Sequence, residues 1–68
     1  MESHKELGNK LKELRKNNGY SQAELSRLSD VDRSHISNIE CGKTKPTVAL
    51  VQRLADALQI PIEDFFSK

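Results

Sequence analysis

Residues 21–42 read SQAELSRLSDVDRSHISNIECG, and the punctuation of this stretch decides the fold. Ser21 followed three residues later by Glu24 is a capping box, in which each side chain satisfies an amide that a helix start leaves unpaired. Tyr20 and Leu25 stand at the two positions of a hydrophobic staple, so a helix is predicted over about Gln22 to Ser29. Only Asp30-Val31-Asp32 separates it from the next helical pattern. Asp32 is a good N-cap, and Val31 with Ile36 makes a second staple. Gly42 closes this third helix, because glycine enters the left-handed backbone that ends helices at no steric cost. The stretch therefore reads as a helix, a very short turn and a helix.

Working outward, Ser3 and Glu6 form another capping box ahead of Leu7, Leu11 and Leu14, which give a first helix one apolar stripe. Asn17-Asn18-Gly19 ends it, with Arg15 and Lys16 in the last turn, where cations complement the helix dipole. On the other side, Lys43 to Pro46 make a loop, and Thr47 caps a fourth helix from Val48 to about Leu58. Its expected buried face is Val48, Val51, Leu54, Ala55 and Leu58. Pro61 opens a last short helix, with Glu63 and Asp64 in an acidic first turn and Phe65 and Phe66 at its end. No segment alternates with period two, so the expectation is an all-α fold of five helices without a sheet, forming one domain over residues 1–68.

Composition narrows the function classes. A chain of 68 residues has no room for a substrate domain beside a cofactor domain. Leu, Ile, Val and Phe make up about a quarter of the residues, above the roughly 20% below which a charged chain stays unfolded. The formal net charge of +1 neither selects nor excludes a polyanionic partner, but Cys41 to Ala55 is free of acids and carries Lys43, Lys45 and Arg53. One cysteine makes no intramolecular disulfide, and the longest apolar run is Val48-Ala49-Leu50-Val51; a cytoplasmic protein with no membrane span is the expectation. Catalysis would need a nucleophile beside a base, or a metal cluster. His35 and Cys41 lie six residues apart, about 600° around a helix, and so do not share a face. His4 stands close to the terminus, and no zinc-ligand spacing is present. No enzyme activity, metal, cofactor or small-molecule substrate is expected.

The third helix has the more informative surface. Advancing about 100° per residue from Arg33, Ile36 and Ile39 define a buried direction near about 270°. Opposite stand Ser34, Ser37 and Asn38, with Arg33 and His35 at the edges. Short hydroxyl and amide groups at the centre of a helix face approach base edges closely in a DNA major groove. Arginine pairs bidentately with guanine and asparagine with adenine, each contact discriminating by about 1–3 kcal/mol. An outward Ser or Asn is in general just a solvated residue; what favours the reading face here is the pair of capped helices with a three-residue turn, followed by a basic loop.

At this point a family resemblance is plain. Gln22-Ala23-x-Leu25, Val31, Ile36-x-x-Ile39-Glu40-x-Gly42-Lys43 and Pro46 resemble the helix-turn-helix of the lambda-repressor and Cro family. Ala55-x-Ala57-Leu58-x-Ile60 is similar to the end of that family's fourth helix. Free-standing proteins of this size resemble small phage-type repressors and the controller proteins of restriction-modification systems. The resemblance implies a sequence-specific transcriptional regulator of double-stranded operator DNA that binds as a homodimer, with RNA polymerase as a further candidate partner. It implies base contacts from Arg33, Ser34, Ser37 and Asn38, and backbone contacts from Gln22, His35, Lys43 and Lys45. It also pairs Arg15 with Glu40 as a structural ion pair, and Glu40 lies beside Ile36 on the helix, away from full exposure. Ile62 and Phe66 are the candidates for a symmetric dimer patch.

Several positions depart from the pattern. Asp30 replaces the family's usual turn glycine, and Asp tolerates the left-handed backbone less well than Gly but better than most residues. Ser26 and Ser29 stand where small apolar residues pack, so their hydroxyls are expected to bond back to the preceding turn. Leu28 is buried on periodicity and partly exposed on the family layout, and both readings stay open. Asp32 puts an acid near the expected phosphates, which weakens nonspecific affinity. The competing function is a helical protein-interaction module on the same fold that has lost DNA binding, since a fold alone does not fix a function.

Overall fold

The computed structural model describes residues 4–66. Four α-helices follow one another, α1 (His4–Asn17), α2 (Gln22–Ser29), α3 (Arg33–Glu40) and α4 (Val48–Leu58), and a 3₁₀ turn covers Ile62–Phe65. The amphipathic stripes meet in one core: Leu11 from α1, Leu25 from α2, Val31 from the turn, Ile36 and Ile39 from α3, Val51, Leu54, Ala55 and Leu58 from α4, and Phe65. Leu7, Leu14, Tyr20, Leu50, Ala57, Ile60 and Ile62 cover it from the side. α3 packs mainly on α1 and α2, and α4 on α2 and the 3₁₀ turn, so α3 is held from behind.

The helix starts follow the sequence logic closely. Ser21 Oγ accepts from the Glu24 amide at 3.1 Å while Glu24 accepts from the Ser21 amide at 2.8 Å, completing the capping box. Thr47 caps α4 by accepting from the Leu50 amide at 3.1 Å. The box at Ser3 and Glu6 lies outside the described residues, because Ser3 does. Asp32 differs from expectation: it occupies the N-cap position of α3 without a side-chain hydrogen bond, and α3 is started by its backbone carbonyl, which accepts from Ile36 at 3.0 Å, and by the buried Val31–Ile36 staple.

Three further readings need correction, and the open one at Leu28 is decided. The fifth helix is a four-residue 3₁₀ turn, closed by Asp64 N–H to Pro61 O and Phe66 N–H to Glu63 O, both at 3.0 Å. A segment this short does not repay α-helix nucleation, and i→i+3 bonds suffice to turn Phe65 into the core. Val48 is 69% exposed, since the apolar stripe of α4 runs one turn past the elements that cover it. Leu28 is half exposed, as the family layout has it. Ser29 does bond back, its hydroxyl donating to Leu25 O at 2.7 Å, but Ser26 donates forward to Val31 O at 2.6 Å. The two serines thus stitch the turn between α2 and α3, and Ser29 Oγ also accepts the Val31 amide at 3.3 Å.

Among the described residues, no helix is long and apolar enough to cross a membrane.

Candidate nucleic-acid interface

α3 presents two faces of opposite chemistry. Ile36 and Ile39 are sealed in the core, while Arg33, Ser34, His35 and Asn38 are exposed and Ser37 is half-buried. The outward residues do not stand alone: Arg33, Ser34, Ser37 and Asn38 line one open recess together with Gln22 from the first turn of α2. The very short α2–α3 turn makes this meeting possible, because it brings the start of α2 alongside α3. All four expected base contacts and one expected backbone contact therefore share a single concave polar surface.

The end of α3 carries the basic loop. Lys43 N–H bonds to Asn38 O at 2.9 Å and Gly42 N–H to Ile39 O at 3.0 Å, the paired bonds of a Schellman closure, with Gly42 at φ 76°. Lys43 and Lys45 beyond it are exposed, as is Cys41. They lie outside the recess, as does His35. Pro46 is buried and anchors the loop.

Behind α3 lies the ion pair. Arg15 Nε donates to Glu40 Oε2 at 2.7 Å and Arg15 Nη2 to Glu40 Oε1 at 3.0 Å, a bidentate fork with side chains only 8% and 3% exposed. Arg15 Nη1 also donates to Tyr20 O at 2.7 Å, tying down the α1–α2 connection. Burial pushes the Glu40 carboxyl up, but hydrogen bonds from Arg15 and Gln22, with the charges of Arg15 and Lys12, outweigh it and hold the group below its ordinary range. The same hydrogen bond to Glu40 raises the Arg15 guanidinium above its ordinary value.

Two features escaped the sequence reading. Gln22 is not simply an outward amide: its Nε2 donates to Glu40 Oε1 at 3.0 Å, so half of its donor capacity is used inside the protein. Gly8 sits buried in α1 where an added Cβ would overlap the Ile39 carbonyl oxygen and lie 3.0 Å from that of Glu40. An isolated glycine within the Leu7–Leu11 helical pattern was the available signal for such a close approach. At the far end, Phe65 fills the core, Ile62 packs against it half-buried, and Phe66 is 57% exposed. Of the two candidates for a dimer patch, Phe66 is thus the outward one.

Comparison with known proteins agrees with this geometry. A family model described as helix-turn-helix matches residues 11–65. The transcriptional regulator PuuR of Escherichia coli is 34% identical over 61 residues, which cover 90% of this chain and 33% of PuuR, so the chain spans about a third of that relative's length. The restriction-modification controller protein C.AhdI from Aeromonas hydrophila superposes with a TM-score of 0.90 at 35% identity, over 93% of this chain and 96% of that one. The controller protein C.Esp1396I, solved as a tetramer in complex with its natural 35 base-pair operator, superposes with a TM-score of 0.86 at 25% identity, over 93% of this chain and 83% of that one. With a family match across most of its length, and the buried Arg15–Glu40 pair that the resemblance implies, the chain belongs to the helix-turn-helix family.

Proposed function

We propose that this chain is a sequence-specific transcriptional regulator that binds double-stranded DNA in the cytoplasm, as a homodimer, with α3 in the major groove. The observation that carries this reading is the recess in which Gln22, Arg33, Ser34, Ser37 and Asn38 converge on the outward side of a helix whose other side is locked by two isoleucines. Arg33 supplies a bidentate donor for guanine, Asn38 a donor–acceptor pair for adenine, and Ser34 and Ser37 short hydroxyls for either. Gln22, His35, Lys43 and Lys45 grip the flanking phosphates, Gln22 at a helix start whose unpaired amides also favour anions. Operator binding by its structural relative C.Esp1396I supports the same reading.

Selection of bound sites from a random duplex pool tests it. Recovery of a recurrent site, whose affinity falls with a moderate slope as salt rises through counterion release, is the expected result. A pool from which no site is enriched, or binding insensitive to salt, would overturn the reading and favour a protein-interaction module.

A further inference from the structure

Three donors converge on the Glu40 carboxylate. Two come from Arg15, one to each oxygen, and the third is the Gln22 amide on Oε1. The Arg15 fork already satisfies the charge of Glu40, so the Gln22 bond is not needed to pay for burial. Its effect is on Gln22. A glutamine amide free to rotate offers its oxygen and its nitrogen in either direction, whereas here one N–H is held by a buried acceptor fixed to the end of α3. The second N–H and the carbonyl oxygen are left for a ligand. Gln22 also lines the recess with the outward residues of α3, so Glu40 touches from behind the residue that the recess uses in front.

We propose that Glu40 is a positioning residue for DNA: through Oε1 it clamps the Gln22 amide and aims its remaining N–H at a phosphate of the bound duplex. The proposal rests on the DNA-binding reading above. Its physical basis is preorganisation, since a side chain already ordered in the free protein loses less freedom on binding. Glu40 thereby also sets the offset between the anchor at the start of α2 and the reading face of α3, because Arg15 ties the same carboxylate to α1 and, through Tyr20 O, to the α1–α2 connection.

The test is a double-mutant cycle of Gln22→Met and Glu40→Met, measuring affinity for a duplex selected by the parent protein, at a temperature where each variant is folded; a methionine at position 40 offers Gln22 no oxygen acceptor. Gln22→Met is expected to lose about three- to tenfold in affinity with little change in thermal unfolding. Glu40→Met is expected to lose a similar factor in the parent background and almost none in the Gln22→Met background. Equal losses from Glu40→Met in both backgrounds would make Glu40 merely structural and overturn the proposal. If Glu40→Met does not fold, the side-chain amide protons of Gln22 decide by NMR of the parent. One proton protected in the free and the bound protein, with the other shifting on addition of duplex, is the expected pattern. Two equivalent, rapidly exchanging protons, or loss of the protected one in the complex, would overturn it. A parent that selects no duplex removes the DNA-binding reading and the proposal together, whereas a parent that selects one but gives an additive cycle removes the proposal alone.

Discussion

At the scale of single residues, Glu40 and Gly8 govern how α3 is held. Removing one partner of a buried, hydrogen-bonded pair leaves an uncompensated charge, so Glu40→Ala is expected to lower unfolding free energy by about 3–5 kcal/mol in denaturant titrations. An unchanged midpoint would show that the pair is worth no more than a surface one. The carboxyl of Glu40 is held below its ordinary range when folded, so its contribution is full above the unfolded-state value of about 4.3 and is lost as pH falls through the folded-state value. Acid unfolding of the parent should therefore be steeper below about pH 4 than that of Glu40→Gln. Gly8→Ala is expected to destabilise by about 1–3 kcal/mol, because the obstacle to its methyl group is the backbone of α3 and not a flexible side chain. A thermal midpoint equal to the parent's would mean that α1 and α3 separate freely. The Arg15–Glu40 pair was legible through the family resemblance, with helix geometry adding only that Glu40 lies beside the buried Ile36. The Gln22–Glu40 bond was not, since two residues on different helices meet only once the turn angle is known.

At the scale of elements, all four helices end on a left-handed residue, and they differ in what occupies it. Gly19 and Gly42 close α1 and α3, but Asp30 at φ 60° closes α2 and Gln59 at φ 59° closes α4. Gln59 N–H to Asp56 O and Ile60 N–H to Ala55 O, both at 3.1 Å, complete a Schellman closure without glycine. A residue with a Cβ is strained there, so Gln59→Gly is expected to raise stability by roughly 0.5–1 kcal/mol. Asp30→Gly should gain slightly less, because it gives up the exposed 3.6 Å pair with Arg53. A fall in thermal midpoint for both variants would mean that the unfolded-state entropy of glycine outweighs the strain. Helix starts were readable in the sequence because Ser21 and Thr47 act within three residues of themselves. The end of α4 was placed correctly from periodicity alone, yet Gln59 carried no signal of its left-handed backbone. Val48 was misjudged for the complementary reason: periodicity marks a stripe, while burial depends on what lies across from it.

At the scale of the whole molecule, extents of 32 × 23 × 20 Å let one copy cover one half-site, and half-sites about 34–36 Å apart bring two copies side by side. Phe66, an exposed large apolar side chain, is the residue expected to meet its counterpart in such a pair. Phe66→Ser should shift sedimentation toward monomer and weaken operator binding, with thermal stability of the monomer nearly unchanged; an unaltered dimer would move the interface elsewhere. The outward face of α3 was legible in the sequence because Ile36 and Ile39 fix the inward direction of a single helix, and everything opposite follows from helix geometry. The recess was not legible, since it needs α2 and α3 at their actual angle. The most direct test of the account compares the parent with Arg33→Ala on a selected duplex and on a scrambled one at the same salt. Arg33→Ala is expected to lose about 1–3 kcal/mol on the selected duplex and far less on the scrambled one. Equal losses on both, or no loss on either, would contradict the claim that the outward face of α3 reads bases.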